Sequence, residues 1–131
     1  MTLDQERDYL LDHVRNPRNV GELSDAKMGE CKNLACGDVV KVFFKEGDIK
    51  IKVSGCTICI ASASLMSELV KGQSQIKIQE YIFLMRESMK PGKAEWPSEL
   101  HALRPLKRMR ESPMKIPCTL LSWVALERAI L

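Results

Sequence analysis

The stretch "DVVKVFFKEGDIKIKVSGCTICIASASL", residues 38–65, decides the fold. Ile49, Ile51 and Val53 alternate with Lys50 and Lys52. Side chains on a strand point to opposite faces in turn, so one face is buried and the other wet. "VVKVFF" supplies a second short apolar run, and "KEGD" with Gly47 is a tight connection between the two. The pair reads as an antiparallel hairpin. Gly55 closes its second strand. Residues 57–71 then form a helix rich in small side chains, with Gly72 supplying the left-handed residue that ends it. Cys56 and Cys59 straddle this strand-to-helix junction as C-x-x-C. That spacing alone suits a redox couple, half of a zinc site, or two small core residues.

Working outward, residues 3–15 show helical spacing of Leu3, Tyr9, Leu10 or Leu11, and Val14. Thr2 is the candidate N-cap, and Asn16-Pro17 stops the helix because proline disfavours a helical residue before it. "NPRNVGEL" is a turn-rich connector, and residues 26–36 carry no clear period. Downstream, residues 75–87 read as a helix. "MKPGKAEWPSEL" reads as a loop, followed by a short helix through Leu103. "RPLKRMRESPMKIP" is basic and interrupted by Pro105, Pro113 and Pro117. "CTLLSWVALERAIL" carries an apolar stripe of Leu120, Leu121, Val124, Ala125 and Leu126, the mark of a packed C-terminal helix. The order implies one α+β domain over residues 1–131: a small antiparallel sheet of about three strands, packed on one side by several helices.

Composition narrows the function. The chain has 131 residues, 45% hydrophobic but only 5% aromatic, so its core is aliphatic with seven Met as filler. Twenty basic and seventeen acidic residues leave a net charge of +3, too mild to imply nucleic acid. The basic run Arg104, Lys107, Arg108, Arg110 lacks interleaved aromatics and reads as a solvated face. No apolar run approaches a membrane span. The acidic, helical start does not read as an export signal, which implies the cytoplasm and reduced cysteines.

Three cysteines fall where elements meet. Cys36 precedes the hairpin, Cys56 follows it, and Cys118 stands after Pro117 at the start of the last helix. A hairpin returns the chain to its origin, so Cys36 and Cys56 can share one end of the sheet, with Cys118 joining if its helix packs there. A thiol at a helix N-terminus faces unpaired N–H groups, which favours thiolate and lowers its pKa at Cys56 and Cys118. Thiolates crowded together repel unless a cation is shared. Gly37 permits a bend that swings Asp38 towards the same ion, completing four ligands: Cys36, Asp38, Cys56 and Cys118. Taken singly, each cysteine fits a core and Asp38 fits a solvated turn. The coincidence of three junctional cysteines with an acid is what points to a metal. The oxygen ligand leaves more readily than sulfur, which suits exchange better than a sealed structural site. His13 reads as a surface or packing residue, and His101 has no ligand spacing.

"NPRNVGEL", "ACGDVVKV", "GCTICIASASLMSELVKG" and "KIPCTLLSWVALERAI" together resemble the NifU/IscU/SufU family of iron–sulfur assembly proteins, over about residues 8–130. The 62-residue step from Cys56 to Cys118 and the Trp123-containing ending are most similar to the SufU branch. The resemblance implies a SufE/NifU-like fold and a zinc ion held by Cys36, Asp38, Cys56 and Cys118. It further implies that Cys118 accepts persulfide sulfur from a cysteine desulfurase, for delivery towards a downstream iron–sulfur carrier or apo-protein. The IscU-like alternative builds and transfers a [2Fe–2S] cluster, or holds iron, in the same pocket. Two positions depart from the pattern: Pro117 replaces the histidine of IscU, and Lys115 stands where SufU-type chains tend to carry Arg. Cys31 and Cys59 inherit no role, and the second reads as packing.

Overall fold

A computed structural model describes residues 1–93 and 95–131. Helix α1 (Leu3–Arg15) starts with a capping box: Thr2 Oγ1 accepts from the Gln5 N–H at 3.2 Å, and Gln5 returns the bond to the Thr2 N–H at 2.8 Å. Three strands follow, β1 (Lys27–Asn33), β2 (Asp38–Lys45) and β3 (Asp48–Ser54), in an antiparallel meander of that order. Helices α2 (Thr57–Val70) and α3 (Gln75–Ser88), a 3-10 segment (Ser98–Glu111) and helix α4 (Lys115–Ile130) complete the order.

The hairpin forms as its pattern dictates. Glu46 and Gly47 both take positive φ, 50° and 84°, the pair of angles a two-residue turn needs to match strand twist. Register pairs Val42 with Ile51 and Val40 with Val53, so the alternating apolar residues share one face. Helices α2 and α4 cover that face, and the lysines Lys41, Lys50 and Lys52 lie on the other. The small side chains of α2 have a purpose: Ala61, Ser62, Ala63, Ser64 and Ser67 are all buried, because α2 is enclosed by the sheet, α1 and α4. Its buried hydroxyls stay satisfied, Ser62 donating to the Thr119 carbonyl at 2.6 Å.

Residues 26–36, unreadable in sequence, contain β1. Its core-facing positions are Lys27, Gly29, Cys31 and Asn33, which carry no apolar alternation. The reason is proximity: Gly29 lies directly beneath the backbone of α4, where no side chain fits. The prolines of the basic run do not break it as expected. A 3-10 segment, kinked at Leu100, passes through Pro105, with Leu100, Leu103 and Leu106 three residues apart and all buried. The loop expected before it persists in part, though Ala94 lies outside the described residues. Arg110 is not solvated but buried, donating to the carbonyls of Ser88 and Glu95. The last helix begins at Lys115 rather than Cys118. Pro117 is tolerated there because N–H groups in a helix's first turn have no intrahelical partner to lose.

The connector "NPRNVGEL" is strapped down. The Arg18 N–H donates to Ser64 Oγ at 2.9 Å, and Val20 pairs in parallel with Ile51 of β3. Ser64 Oγ also meets His13 Nδ1 at 2.7 Å, and His13 Nε2 lies 3.5 Å from Glu68. A proton on Nε2 faces the carboxylate favourably, so Nδ1 accepts from the serine. His13 is buried, the packing alternative of the sequence reading. Burial, with Arg18 nearby, holds its pKa below the ordinary 6.5, against the opposing pull of Glu68 and Asp12. The unfolded chain therefore binds this proton more readily than the fold does, and stability falls as pH drops below about 6.5. Urea midpoints measured between pH 7.5 and 5.5 should show that decline, and His13→Gln should flatten it.

Candidate metal centre

One end of the sheet gathers the chemistry. The inward alternation of β2, Phe44–Val42–Val40, continues to its first residue, so Asp38 points into the same covered face. Asp38 is 1% exposed. The Cys56 N–H donates to Asp38 Oδ1 at 3.0 Å, and Cys56 Sγ lies 3.6 Å from Oδ2. Gly55 makes this approach possible, since a Cβ there would sit 2.7 Å from Asp38 Cγ. Cys56 is the N-cap of α2, with its sulfur making no cap bond and directed at the carboxylate.

Cys36 sits in the turn between β1 and β2. The Asn33 carbonyl accepts from the N–H groups of Cys36 and Gly37 at 3.3 and 2.7 Å, and Gly37 takes φ +76°. Cys118 comes in from α4, one turn after Met114, whose carbonyl lies 3.8 Å from its sulfur. The Cys118 and Cys36 sulfurs stand 4.0 Å apart. One ligand atom each of Cys36, Asp38 and Cys118 falls within 4.8 Å of the other two. Cys56 adjoins this trio through Asp38 without belonging to it. All four residues singled out in the sequence thus meet at one place. Cys59 does not: it is fully buried in the core, its thiol pushed up to about 12 by burial and then by the acids around it. His101 lies on the exposed side of the 3-10 segment.

One expectation is reversed. Cys118 lies within the first turn of α4 rather than at its cap, and its pKa is raised, not lowered. Burial is the leading cause, followed by hydrogen bonding with Cys56 and Asp38. Helix-end N–H groups do not outweigh desolvation plus crowding by other acids. The same crowding is the test of whether a cation fits. Ionising these sulfurs beside a buried carboxylate would crowd like charges together, a cost that a divalent ion reverses. Sulfur and oxygen donors suit zinc, and the donor set accommodates it. Asn33, unremarked in the sequence, adds a further contact: its amide Nδ2 lies 3.8 Å from Cys118 Sγ, while its Oδ1 accepts from the Ala35 N–H. An Asn three residues before a cysteine in a turn was the only available signal.

The zinc-dependent sulfurtransferase SufU of Bacillus subtilis is 32% identical over 129 residues, covering 95% of this chain and 88% of that one. The iron–sulfur cluster assembly scaffold protein IscU of Rickettsia prowazekii is 33% identical, covering 92% and 86%. A crystal structure of a Fervidobacterium islandicum protein, assigned to the SUF system as a cluster assembly scaffold, superposes with a TM-score of 0.80 at 29% identity, covering 95% of each chain. The profile of the NifU-like N terminal domain matches residues 5–131, and the chain belongs to that family.

Proposed function

We propose that this chain is an iron–sulfur cluster assembly protein that holds zinc and accepts sulfur at Cys118. The observation that carries the reading is the trio of Cys36, Asp38 and Cys118 atoms within 4.8 Å, with Cys56 alongside. Similarity over nearly the whole chain to a zinc-dependent sulfurtransferase supports it. The ligands are Cys36, Asp38, Cys56 and Cys118. Bound zinc supplies charge that keeps the thiols deprotonated and screened from one another.

The chain's own residues do the rest. Asp38 is the one oxygen donor, anchored by the Cys56 N–H, so it is the arm that can give way without loss of a sulfur. The Asn33 amide, which donates towards the Cys118 sulfur at 3.8 Å, is the contact that orients the thiolate. The transfer is a displacement. Cys118 thiolate attacks the outer sulfur of a persulfide on a partner cysteine desulfurase. The donor's S–S bond breaks, its cysteine leaves as thiolate with the electron pair, and Cys118 ends as a persulfide. No net electrons are gained or lost across the pair. The sulfur then passes to a downstream carrier or apo-protein. No described helix is long and apolar enough to cross a membrane, and the proposed setting is the cytoplasm.

A second reading has a specific observation behind it: IscU scaffolds are as similar in sequence as the sulfurtransferase. On that reading the same residues assemble a [2Fe–2S] cluster and release it. Metal analysis of anaerobically purified protein separates the two. About one zinc per chain, with stimulation of a desulfurase, is the expected result. A brown protein formed with iron and sulfide, showing no stimulation, favours the scaffold.

A further inference from the structure

The basic run of the 3-10 segment divides on folding. Arg110 turns inward to the Ser88 and Glu95 carbonyls, and Arg108 faces Glu6 of α1 at 3.7 Å. Arg104 and Lys107 do neither. With His101 they line a cavity of about 330 Å³ beside the start of the segment. Beyond the kink at Leu100 the backbone explains why they share it. A 3-10 helix turns once every three residues, so side chains at 101, 104 and 107 stand in a row, about 6 Å apart along the axis. None of the three has an ion-pair partner among the described residues. The aromatic that the basic run lacks in sequence arrives from outside it. Trp96, in the preceding loop, lines the same cavity. Its Nε1–H donates to the Leu100 carbonyl at 2.7 Å, which fixes the ring against the segment. Glu95 is the one carboxylate in the lining.

We propose that this cavity binds a nucleoside polyphosphate, with the base against Trp96 and the phosphates along the row of His101, Arg104 and Lys107. The row is longer than a single phosphate and suits a chain of them, each oxygen able to accept a charge-assisted hydrogen bond. A fixed indole beside the row offers a π-face on which any base can stack. The cavity falls within the range of small-molecule sites, about 300–1,000 Å³. A solvated face accounts for the cations singly. It does not account for their alignment in one cavity with an anchored aromatic ring. The lining shares no residue with the metal centre, so the proposal stands apart from the sulfur-accepting reading.

Titration of the full chain with ATP, adenosine and inorganic triphosphate, each with magnesium, tests it. Trp123 is fully buried, so quenching of tryptophan fluorescence by a base reports on Trp96. ATP and adenosine should quench it, and triphosphate should not. By calorimetry, ATP should bind at least about tenfold more tightly than either fragment, because each fragment makes only part of the contacts. The double variant Arg104→Gln/Lys107→Gln should weaken ATP by at least about tenfold and leave adenosine unchanged, since only phosphate contacts are lost. Neither substituted side chain is buried, so its thermal midpoint should match wild type. Triphosphate binding as tightly as ATP would reduce the row to a plain polyanion patch and overturn the proposal. ATP affinity untouched by the double variant, or no quenching by ATP, would overturn it too. So would a single-stranded oligonucleotide that binds far more tightly than ATP, which would make the row a nucleic-acid surface.

Discussion

Gly29→Ala will destabilise the fold by about 3 kcal/mol, lowering the thermal midpoint by roughly 10 °C. A methyl at this position falls 2.5 Å from the Ala129 nitrogen and 2.9 Å from the Arg128 carbonyl carbon, and closer still to the Ala125 carbonyl oxygen. These are backbone atoms of α4, so no rotamer change relieves the clash. Either α4 lifts from β1 or β1 leaves the sheet. Because α4 also carries Cys118, the same displacement separates Cys118 from Cys36. Calorimetry of the apo protein checks the first effect without reference to metal. A midpoint within a few degrees of wild type would show that α4 does not press on β1 this closely.

The second large effect concerns the site alone. In Gly55→Ala the new methyl meets Asp38, 2.7 Å from its Cγ and 2.9 Å from its Cβ. Gly55 itself is exposed and ends β3, so the sheet has room to stay folded. Asp38 does not: its Oδ1 gives up the Cys56 N–H, and the carboxylate turns from the three sulfurs. If Asp38 holds zinc as proposed, disturbing the contacts that orient it should weaken zinc binding by about 10- to 100-fold. Chelator competition on the folded variant measures this directly, and an unchanged affinity would remove Asp38 from the ligand set.

These two glycines also show what the sequence could and could not convey. The hairpin was legible because Ile49, Ile51 and Val53 alternate against lysines, and α2 because a glycine stands at each end. The site was legible because its cysteines sit at those same junctions. Strand β1 was hidden by its own function in packing: a strand pressed against a helix backbone needs Gly29, not a β-branched residue, and so loses the signal that identifies strands. The 3-10 segment was hidden because its leucines recur every third residue and a proline stands among them. The upward shift of the Cys118 thiol was hidden for a different reason. Position in a helix can be read locally, whereas desolvation and the approach of Asp38 and Cys56 depend on contacts from three separate elements. Asn33 escaped notice likewise, since its contact with Cys118 spans distant parts of the chain.

On the proposed reading, Cys118 receives sulfur in a site built from Cys36, Asp38 and Cys56. Mass spectrometry of the zinc-loaded protein after incubation with a persulfide-charged desulfurase addresses it most directly. The peptide containing Cys118 should gain the mass of one sulfur atom, removable by a thiol reductant, and Cys118→Ala should gain none anywhere in the chain. Added sulfur on Cys36, Cys56 or Cys59 with Cys118 unmodified, or undiminished uptake by Cys118→Ala, would contradict it.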